Sequence, residues 1–192
     1  MSSAAFGLYI GQAAGGPALE KLEREFGLMA SEQAGDGPQQ AGQGPLSRGE
    51  IEAFAADWYR KLDEHVPAAD IAPLVLDQGL EFVVPEATLR SRREFGDWYA
   101  GGDDHPGVIN LFFDEVHTLS LVESRAEGPG AEVRVVVNWQ GRRWAAPASR
   151  SQWFGFDAFQ TWQMIRSPET GGPVIARYVV NELRPMPGSP PL

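Results

Sequence analysis

Residues 150–184 read RSQWFGFDAFQTWQMIRSPETGGPVIARYVVNELR, and this stretch decides the fold. Its two apolar runs, at 150–166 and 173–184, are rich in the aromatic and β-branched residues that favour strands. The segment between them, SPETGGP, contains the proline and glycine residues typical of a chain reversal. The pattern predicts a hairpin of two strands that are both longer than ten residues.

Two further apolar runs precede this hairpin, at 108–125 and 132–146, and the turn-forming sequence EGPG at 127–130 separates them. Four such runs joined by short turns predict four strands that pair antiparallel in chain order. Strands of this length twist and cannot stay flat. We therefore expect a strongly bent antiparallel sheet.

The preceding segment predicts helices. Ser47 and Glu50 have the S-x-x-E spacing of a capping box. Apolar residues then recur at helical intervals, at Ile51, Phe54, Ala55, Trp58, Tyr59 and Leu62. The sequence predicts a second, short helix over 68–76, a short strand over 80–84 that ends at Pro85, and a third helix after Ser91. These three helices are the elements that could cover the concave face of the sheet.

The ends of the chain differ in character from this central domain at 47–185. Residues 16–30 predict a short amphipathic helix, and residues 31–45 form a linker rich in glycine, glutamine and proline, so that 1–46 is a separate N-terminal segment. Residues 186–192 predict a flexible tail because proline and glycine dominate them.

This order of elements over 47–185 resembles the NTF2-like fold, and most of all its SnoaL-like members. The resemblance rests mainly on the closing hairpin, FQTWQMIR at 159–166 followed by GPVIARYVV at 172–180. It implies an α+β cone in which three helices pack on a strongly curved antiparallel sheet. It also implies a homodimer formed through the sheet face and a small apolar ligand in the cone, with no cofactor.

Proteins of this family differ in activity, so two functions stay open. The first is a cofactor-independent enzyme of the lyase, isomerase or hydrolase type. The second is a non-catalytic module that binds a ligand or dimerises. A third, a subunit like the small chain of ring-hydroxylating dioxygenases, ranks last because it would need a large partner.

Enzymes that the chain resembles place an Asp or a His inside the apolar cone, where burial tunes proton transfer. In residues 108–123, VINLFFDEVHTLSLVE, regular alternation puts Asn110 and Asp114 on one strand face and His117 on the other. The resemblance favours Asp114 with Asn110, whereas the cleaner apolar alternation favours His117. We keep Asp114 and His117 as alternative catalytic residues.

Three aromatic residues and one carboxylate complete the predicted site. Asp157 lies among aromatic residues in QWFGFDAFQTW and is a third candidate for proton transfer. Tyr59, on the first helix, could point its hydroxyl at a ligand, as tyrosines do in the enzymes that the chain resembles. Trp139 and Trp162 could line an apolar ligand chamber or belong to the core.

Composition excludes several classes of function. The net charge of −10 opposes binding to nucleic acid. The chain has no cysteine, and none of its three histidines lies within four residues of another, so no Cys- or His-based metal motif exists. No glycine-rich nucleotide motif occurs. Since the first basic residue is Lys21 and no apolar run reaches the length of a membrane span, we expect a cytoplasmic protein with no membrane partner.

Overall fold

The structure is a computed structural model, and it describes residues 44–191. The amphipathic helix expected at 16–30 and most of the linker lie outside the described residues. The helices are α1 (Arg48–Asp63), α2 (Ala68–Ile71, followed by a 3-10 turn over Ala72–Leu74), α3 (Arg92–Ala100) and α4 (Val108–Leu111). The strands are β1 (Gln78–Val84), β2 (Ala87–Ser91), β3 (Phe112–Glu127), β4 (Gly130–Arg143), β5 (Gln152–Arg166) and β6 (Pro173–Pro185).

The six strands form one curved sheet in the order β2-β1-β6-β5-β4-β3. The four long strands pair antiparallel in chain order, which confirms the α+β fold with a curved sheet that the sequence predicts. β1 joins this sheet in parallel with β6, with Phe82 opposite Tyr178. Helices cover the concave face, here called the inner face.

Strand β2 is an element that the sequence analysis missed. Its five residues, ATLRS, follow a turn at Pro85 and Glu86 and pair antiparallel with β1, with Leu89 opposite Phe82. So short a run has no clear alternation of apolar residues, because Leu89 alone among them is buried. The strand therefore depends on its pairing partner, which sequence reasoning could not supply.

Helix α1 begins as its sequence predicts. The Ser47 hydroxyl accepts from the Glu50 amide at 3.3 Å, and the Glu50 carboxylate accepts from the Ser47 amide at 2.8 Å, which completes the capping box. Glu50 also pairs with Arg166 at the end of β5, at 2.9 Å. The hydrogen bond from Arg166, aided by those from Ser47, lowers the pKa of Glu50 to about 2. The first turn of α1 is thus bound to the C-terminal end of β5.

Aromatic side chains fill the part of the cone beneath the middle of α1. The Trp58 ring lies 5.8–6.4 Å from four neighbours: Phe82, Phe95, Trp162 and Tyr178. Phe82 stacks on Tyr178 with centroids 4.2 Å apart. Within residues 44–191, the indole nitrogen of Trp58 is the one wholly buried side-chain polar atom without a hydrogen-bond partner. This region is packed core, and removing a buried Trp costs about 3–5 kcal/mol.

The C-terminal residues follow the outer face of the sheet. The Met186 amide donates to the Gly155 carbonyl at 2.9 Å, and the Gly155 amide donates to the Ser189 hydroxyl at 3.0 Å. A Cβ atom at position 155 would lie 2.7 Å from both Met186 Sδ and Trp153, so this approach needs glycine. Within the segment predicted to be a flexible tail, Met186 and Ser189 thus make hydrogen bonds with β5.

Candidate functional site

The C-terminal end of α1 carries two side chains toward β3. The helix ends at Asp63, and the chain reverses through Glu64 and His65. The Glu64 amide donates to Arg60 and the His65 amide to Leu62, which satisfies the last carbonyls of the helix. His65 has a φ of 48°, in the left-handed region that non-glycine residues rarely adopt. This turn directs both Asp63 and His65 at the sheet.

A β-bulge directs two side chains of β3 back at the helix. The register between β3 and β4 shifts between Phe113 and Val116, and Asp114 within this bulge has a φ of 52°. His117 lies opposite Trp139, which packs against buried Phe154 and Phe156 of the inner face. The two-residue period of the strand puts Glu115 and His117 on the same face.

Asp63 and His117 form the first of two carboxylate–histidine pairs. Asp63 Oδ1 lies 2.6 Å from His117 Nδ1, and Asp63 Oδ2 accepts from the His117 backbone amide at 3.2 Å. Because an ionised carboxylate only accepts, this contact places a ring hydrogen on Nδ1, and Nε2 has no hydrogen-bond partner within residues 44–191. The His117 side chain is 9% exposed.

Two aromatic rings stack against the His117 imidazole. The Tyr59 ring stacks on the imidazole with centroids 5.1 Å apart, and the Trp139 ring lies parallel to the imidazole with centroids 5.9 Å apart and an interplanar angle of 7°. The Tyr59 hydroxyl donates to the buried Gln160 carbonyl at 2.7 Å. Burial raises the pKa of Tyr59 well above its usual value, so this phenol stays neutral.

His65 and Glu115 form the second pair. His65 Nε2 lies 2.7 Å from Glu115 Oε2, and Trp139 Nε1 donates to Glu115 Oε1 at 2.8 Å. The Glu115 side chain is 6% exposed, whereas that of His65 is 26% exposed. Burial, together with the nearby Glu115 charge, raises the pKa of Tyr99 to about 12. We call the five residues Asp63, His65, Glu115, His117 and Trp139 the paired-histidine site.

The structure brings three of the sequence-predicted residues together and places a fourth in the core. His117, Tyr59 and Trp139 meet at the paired-histidine site. Trp162 lies on the inner face but is wholly buried against α1, and its indole nitrogen donates to Gln160 at 3.0 Å. Trp162 therefore supports Tyr59 through a shared acceptor and does not face an open site.

The other three predicted residues lie away from this site. Asp114 is exposed on the outer face, because the bulge inserts one residue and breaks the alternation that grouped Asp114 with Phe112. Asp157 also lies on the outer face, where it accepts from Asn138 at 2.9 Å. Asn110 belongs to α4, not to a strand, and donates to the Ala100 carbonyl at 3.2 Å. The strand expected from residue 108 begins only at Phe112.

Sequence reasoning missed Asp63, His65 and Glu115. Asp63 and His65 follow the apolar stripe of α1, at a helix end where charged residues are usual. Glu115 lies within a strand, and its sequence does not indicate which face of the sheet its side chain occupies. One signal was present. An acidic residue and a histidine stand two positions apart in both segments, as Asp63-x-His65 and Glu115-x-His117.

Two open clefts lie on the surface of the described residues, and neither contains His117. One, of about 380 Å³, is lined by nine residues that include Glu86, Asp97, Trp98 and His105. The other, of about 290 Å³, lies on the outer face beside Asp114 and Trp153. Over residues 44–191, no three His, Asp or Glu side chains converge so as to hold a metal ion.

Solved structures with this fold were found, although no protein-family model and no curated protein matches the sequence. A protein from Novosphingobium aromaticivorans assigned as a scytalone dehydratase is 19% identical, with a TM-score of 0.55 over 72% of this chain and 83% of that one. A hexachlorocyclohexane dehydrochlorinase of type 2 is 14% identical, with a TM-score of 0.52 over 75% and 93%.

The description of a third similar structure states its fold. It is an NTF2-like protein with a cystatin-like fold, also from N. aromaticivorans, at 21% identity and a TM-score of 0.50 over 74% of this chain and 83% of that one. The chain therefore has the NTF2-like, cystatin-like fold. At this level of identity the likeness concerns the fold and carries no activity with it.

Proposed function

We propose that this protein is a cofactor-independent enzyme of the lyase type, in which His117 removes a proton from carbon in a small apolar ligand. One observation carries the proposal: Asp63 holds Nδ1 of His117 at 2.6 Å and leaves Nε2 without a hydrogen-bond partner in residues 44–191. A general base needs a free lone pair and a fixed orientation. The carboxylate supplies both, and it stabilises the imidazolium that forms.

The surroundings of His117 indicate an uncharged, partly aromatic ligand. Tyr59 and Trp139 provide flat apolar walls, and Phe112 packs edge-on against Trp139 at 5.3 Å. Within the described part of the chain, no Arg or Lys side chain bonds to the paired-histidine site, so a ligand carboxylate would meet Asp63 and Glu115 unopposed. We infer that a ligand approaches His117 from the side of Asp63 and His65, whose side chains are 28% and 26% exposed.

The structural neighbours support the lyase type over the isomerase and hydrolase types. The names dehydratase and dehydrochlorinase both describe the loss of a small molecule from a substrate. Such reactions begin with the removal of a proton from carbon, which is the step that a histidine base performs.

A β-fluoro ketone with a para-nitrophenyl ring tests this proposal. Loss of its α-proton and fluoride gives a conjugated enone that absorbs in the near ultraviolet, and the reaction needs a base but little acid. We expect the protein to accelerate this elimination and His117→Gln to lower kcat/KM by about 100-fold or more. The matched control is His105→Asn, at an exposed histidine outside the site. Equal rates for His117→Gln and the unmodified protein would refute the proposal.

We also propose that the outer face of the sheet forms a homodimer. Phe113 and Val116 are 38% and 54% exposed and lie near each other on this face, and neighbouring exposed apolar side chains favour a protein–protein contact. Light scattering of the full chain measures the mass, and we expect a dimer that Val116→Asp converts to monomer. Ala53→Asp, on the exposed side of α1, is the control. A monomeric mass for the unmodified protein contradicts this proposal.

We keep a cytoplasmic location as a proposal, and cell fractionation tests it. Over residues 44–191, none of the helices combines the length and apolarity that crossing a bilayer requires. The acidic composition, with a net charge of −10, supports a protein that does not bind anionic surfaces.

A further inference from the structure

We propose that Glu115 is a positioning residue of this site, which holds the Trp139 indole parallel to the His117 imidazole and thereby fixes the orientation of the base. This inference rests on the proposed function, because the orientation of His117 matters to the reaction only where His117 takes the proton. It assigns a role to a buried carboxylate that has no part in the proton transfer itself.

Both oxygens of the Glu115 carboxylate have a partner. Trp139 Nε1 donates to Oε1 at 2.8 Å, and His65 Nε2 lies 2.7 Å from Oε2. These two partners belong to different elements, which are β4 and the chain reversal after α1. Because the carboxylate cannot rotate without breaking one of the two contacts, Glu115 presents a fixed acceptor to the indole.

The Trp139 ring is the cross-strand neighbour of His117. The two residues are opposite each other in the register of β3 and β4, and their rings are parallel within 7° with centroids 5.9 Å apart. Side chains at directly opposite positions of an antiparallel pair interact. Phe112 and Phe154 pack on the Trp139 ring at 5.3 and 4.7 Å. The bond to Glu115 adds a fixed direction for the indole N–H, so the ring has one orientation beside the imidazole.

The fold provides space for the Glu115 side chain on the inner face. The bulge in β3 leaves Asp114 and Glu115 together opposite Gly141 of β4. A Cβ atom at position 141 would lie 3.2 Å from Glu115 Cγ and 2.7 Å from the Phe154 ring, so glycine leaves the space that both side chains occupy. Asp114 has a φ of 52°, and such strain clusters at functional sites. A bulge, a strained backbone and a glycine thus combine to place this carboxylate.

An apolar side chain would fill this space at a lower cost in free energy. Burying a carboxylate is unfavourable unless its partners compensate for the lost water, and the Glu115 side chain is 6% exposed. Within residues 44–191, no Arg or Lys side chain pairs with Glu115. Replacing buried charged groups by apolar ones of similar volume is often neutral or stabilising. Packing alone therefore does not explain a carboxylate here, whereas the need for an acceptor at the indole does.

The orientation of the His117 ring depends on contacts with different effects. Asp63 binds the ring at Nδ1, and a ring that is bound at one atom can still tilt about that atom. The Tyr59 and Trp139 rings, which stack against the imidazole, limit such a tilt. A displacement of about 1 Å in a reacting group can lower a rate by about 100-fold. Glu115 thus acts on the proton transfer through Trp139, whereas Asp63 acts directly on the imidazole.

Two substitutions of Glu115 separate its hydrogen-bond acceptor from its charge. Glu115→Gln removes the charge but keeps a carbonyl oxygen for the Trp139 indole, whereas Glu115→Met has a similar length and no comparable acceptor. We expect Glu115→Met to lower kcat for the β-fluoro ketone about tenfold, with a smaller change in KM, because the base is displaced and not removed. Glu115→Gln should keep most of the activity. Equal values of kcat in the two variants would overturn the inference.

Trp139→Phe shows whether Glu115 acts through the indole. Phenylalanine keeps a ring but has no N–H, so we expect kcat to fall by a factor similar to that of Glu115→Met. Adding Glu115→Met to Trp139→Phe should lower kcat no further. The double variant has no indole donor at position 139 to leave unpaired, so this comparison holds even where Glu115→Met alone folds poorly. Losses that multiply would mean that Glu115 acts by another route, and the inference would fail.

The NMR signals of His117 give a readout that needs no substrate. The ring current of the parallel indole displaces the signals of the carbon-bound imidazole protons. The chain has three histidines, so the signals lost in His65→Asn and in His105→Asn leave those of His117 assigned. We expect Glu115→Met to move the His117 signals further than Glu115→Gln does, because both variants remove the charge but only Glu115→Met releases the indole.

The outcomes separate this inference from the proposed function. If His117→Gln leaves the rate on the β-fluoro ketone unchanged, the base is wrongly assigned and the proposed function itself fails. If His117→Gln lowers that rate but the two Glu115 variants have equal kcat or equally displaced His117 signals, the positioning role alone is overturned. A loss of kcat in Glu115→Met that Glu115→Gln largely avoids, with a matching difference in the His117 signals, supports the inference.

Discussion

The carboxylate of Asp63, the last residue of α1, lies 2.6 Å from Nδ1 of His117. His117 belongs to the edge strand β3 and lies opposite Trp139 of β4 on the inner face of the sheet. The second oxygen of the same carboxylate accepts from the His117 backbone amide. Two bonds from one carboxylate fix both the ring and the strand that carries it, so the orientation of the imidazole depends on Asp63.

Asp63→Asn should therefore impair the base without unfolding the protein. An amide NH2 group can donate to Nδ1, which moves the imidazole hydrogen to Nε2 and removes the free lone pair. We expect kcat/KM for the β-fluoro ketone to fall by about 100-fold or more. Asp57→Asn, on the same helix and paired with Lys61 at 3.2 Å, is the control. An unchanged rate in Asp63→Asn would remove Asp63 from the mechanism.

Trp139→Phe should destabilise the fold through Glu115. Phenylalanine keeps a ring beside His117 but has no N–H, so one oxygen of the buried Glu115 carboxylate loses its partner. We expect the free energy of unfolding in urea to fall by about 1–3 kcal/mol. Trp144→Phe, at a 54% exposed side chain, should change it by less than about 0.5 kcal/mol. Equal effects of the two substitutions would contradict this account of Glu115.

Gln160→Met should lower the free energy of unfolding, because the side-chain carbonyl of Gln160 accepts hydrogen bonds from two buried donors. The Gln160 side-chain oxygen accepts from the Tyr59 hydroxyl at 2.7 Å and from the Trp162 indole at 3.0 Å. Each stranded donor costs roughly 1–3 kcal/mol of unfolding free energy. Adding Tyr59→Phe to Gln160→Met should recover part of the loss, which urea unfolding of the double variant measures. Simple additivity of the two substitutions would show that the shared acceptor has no role.

Acid should weaken the fold through Glu50. Its folded pKa of about 2 lies below the usual value of 4.5, so the stability from its bonds with Arg166 and Ser47 is complete above pH 4.5 and is lost as pH falls toward 2. Because Glu50 is 36% exposed, we expect only about 1 kcal/mol. Urea unfolding between pH 5 and 2 should show a shallower decline in Glu50→Gln. Parallel declines would mean that Glu50 is not a source of acid sensitivity.

Local signals made the helices and long strands predictable. The Ser47 cap and the stripe from Ile51 to Leu62 lie within one segment, so neighbouring residues determine them. The parallel pairing of β1 with β6 is different, because Glu81 meets Arg177 only after the whole sheet has formed. Pairing between strands that are far apart in the chain produces no periodic pattern in the sequence of either strand.

The site was harder to predict for a related reason. The choice between Asp114 and His117 as the catalytic residue depended on which face of the strand each side chain takes. The bulge at Asp114 changed the alternation between Phe112 and Glu115. A bulge in a non-glycine sequence has no reliable local signal. The roles of Asp63 and His65 could not be predicted for another reason. Only the chain reversal after α1 directs these charged residues toward the sheet.

Helix α1 is attached to the sheet at both of its ends. Its first turn binds Arg166 through Glu50, and its last residue binds His117 through Asp63. A helix of 16 residues spans about 24 Å. Position 166 is thus remote from His117, but the same helix binds both, so we expect a tilt of the helix at one end to change the distance between carboxylate and imidazole at the other. Substitution of Arg166, whose side chain is 17% exposed, would in this way alter the Asp63–His117 pair without contacting it.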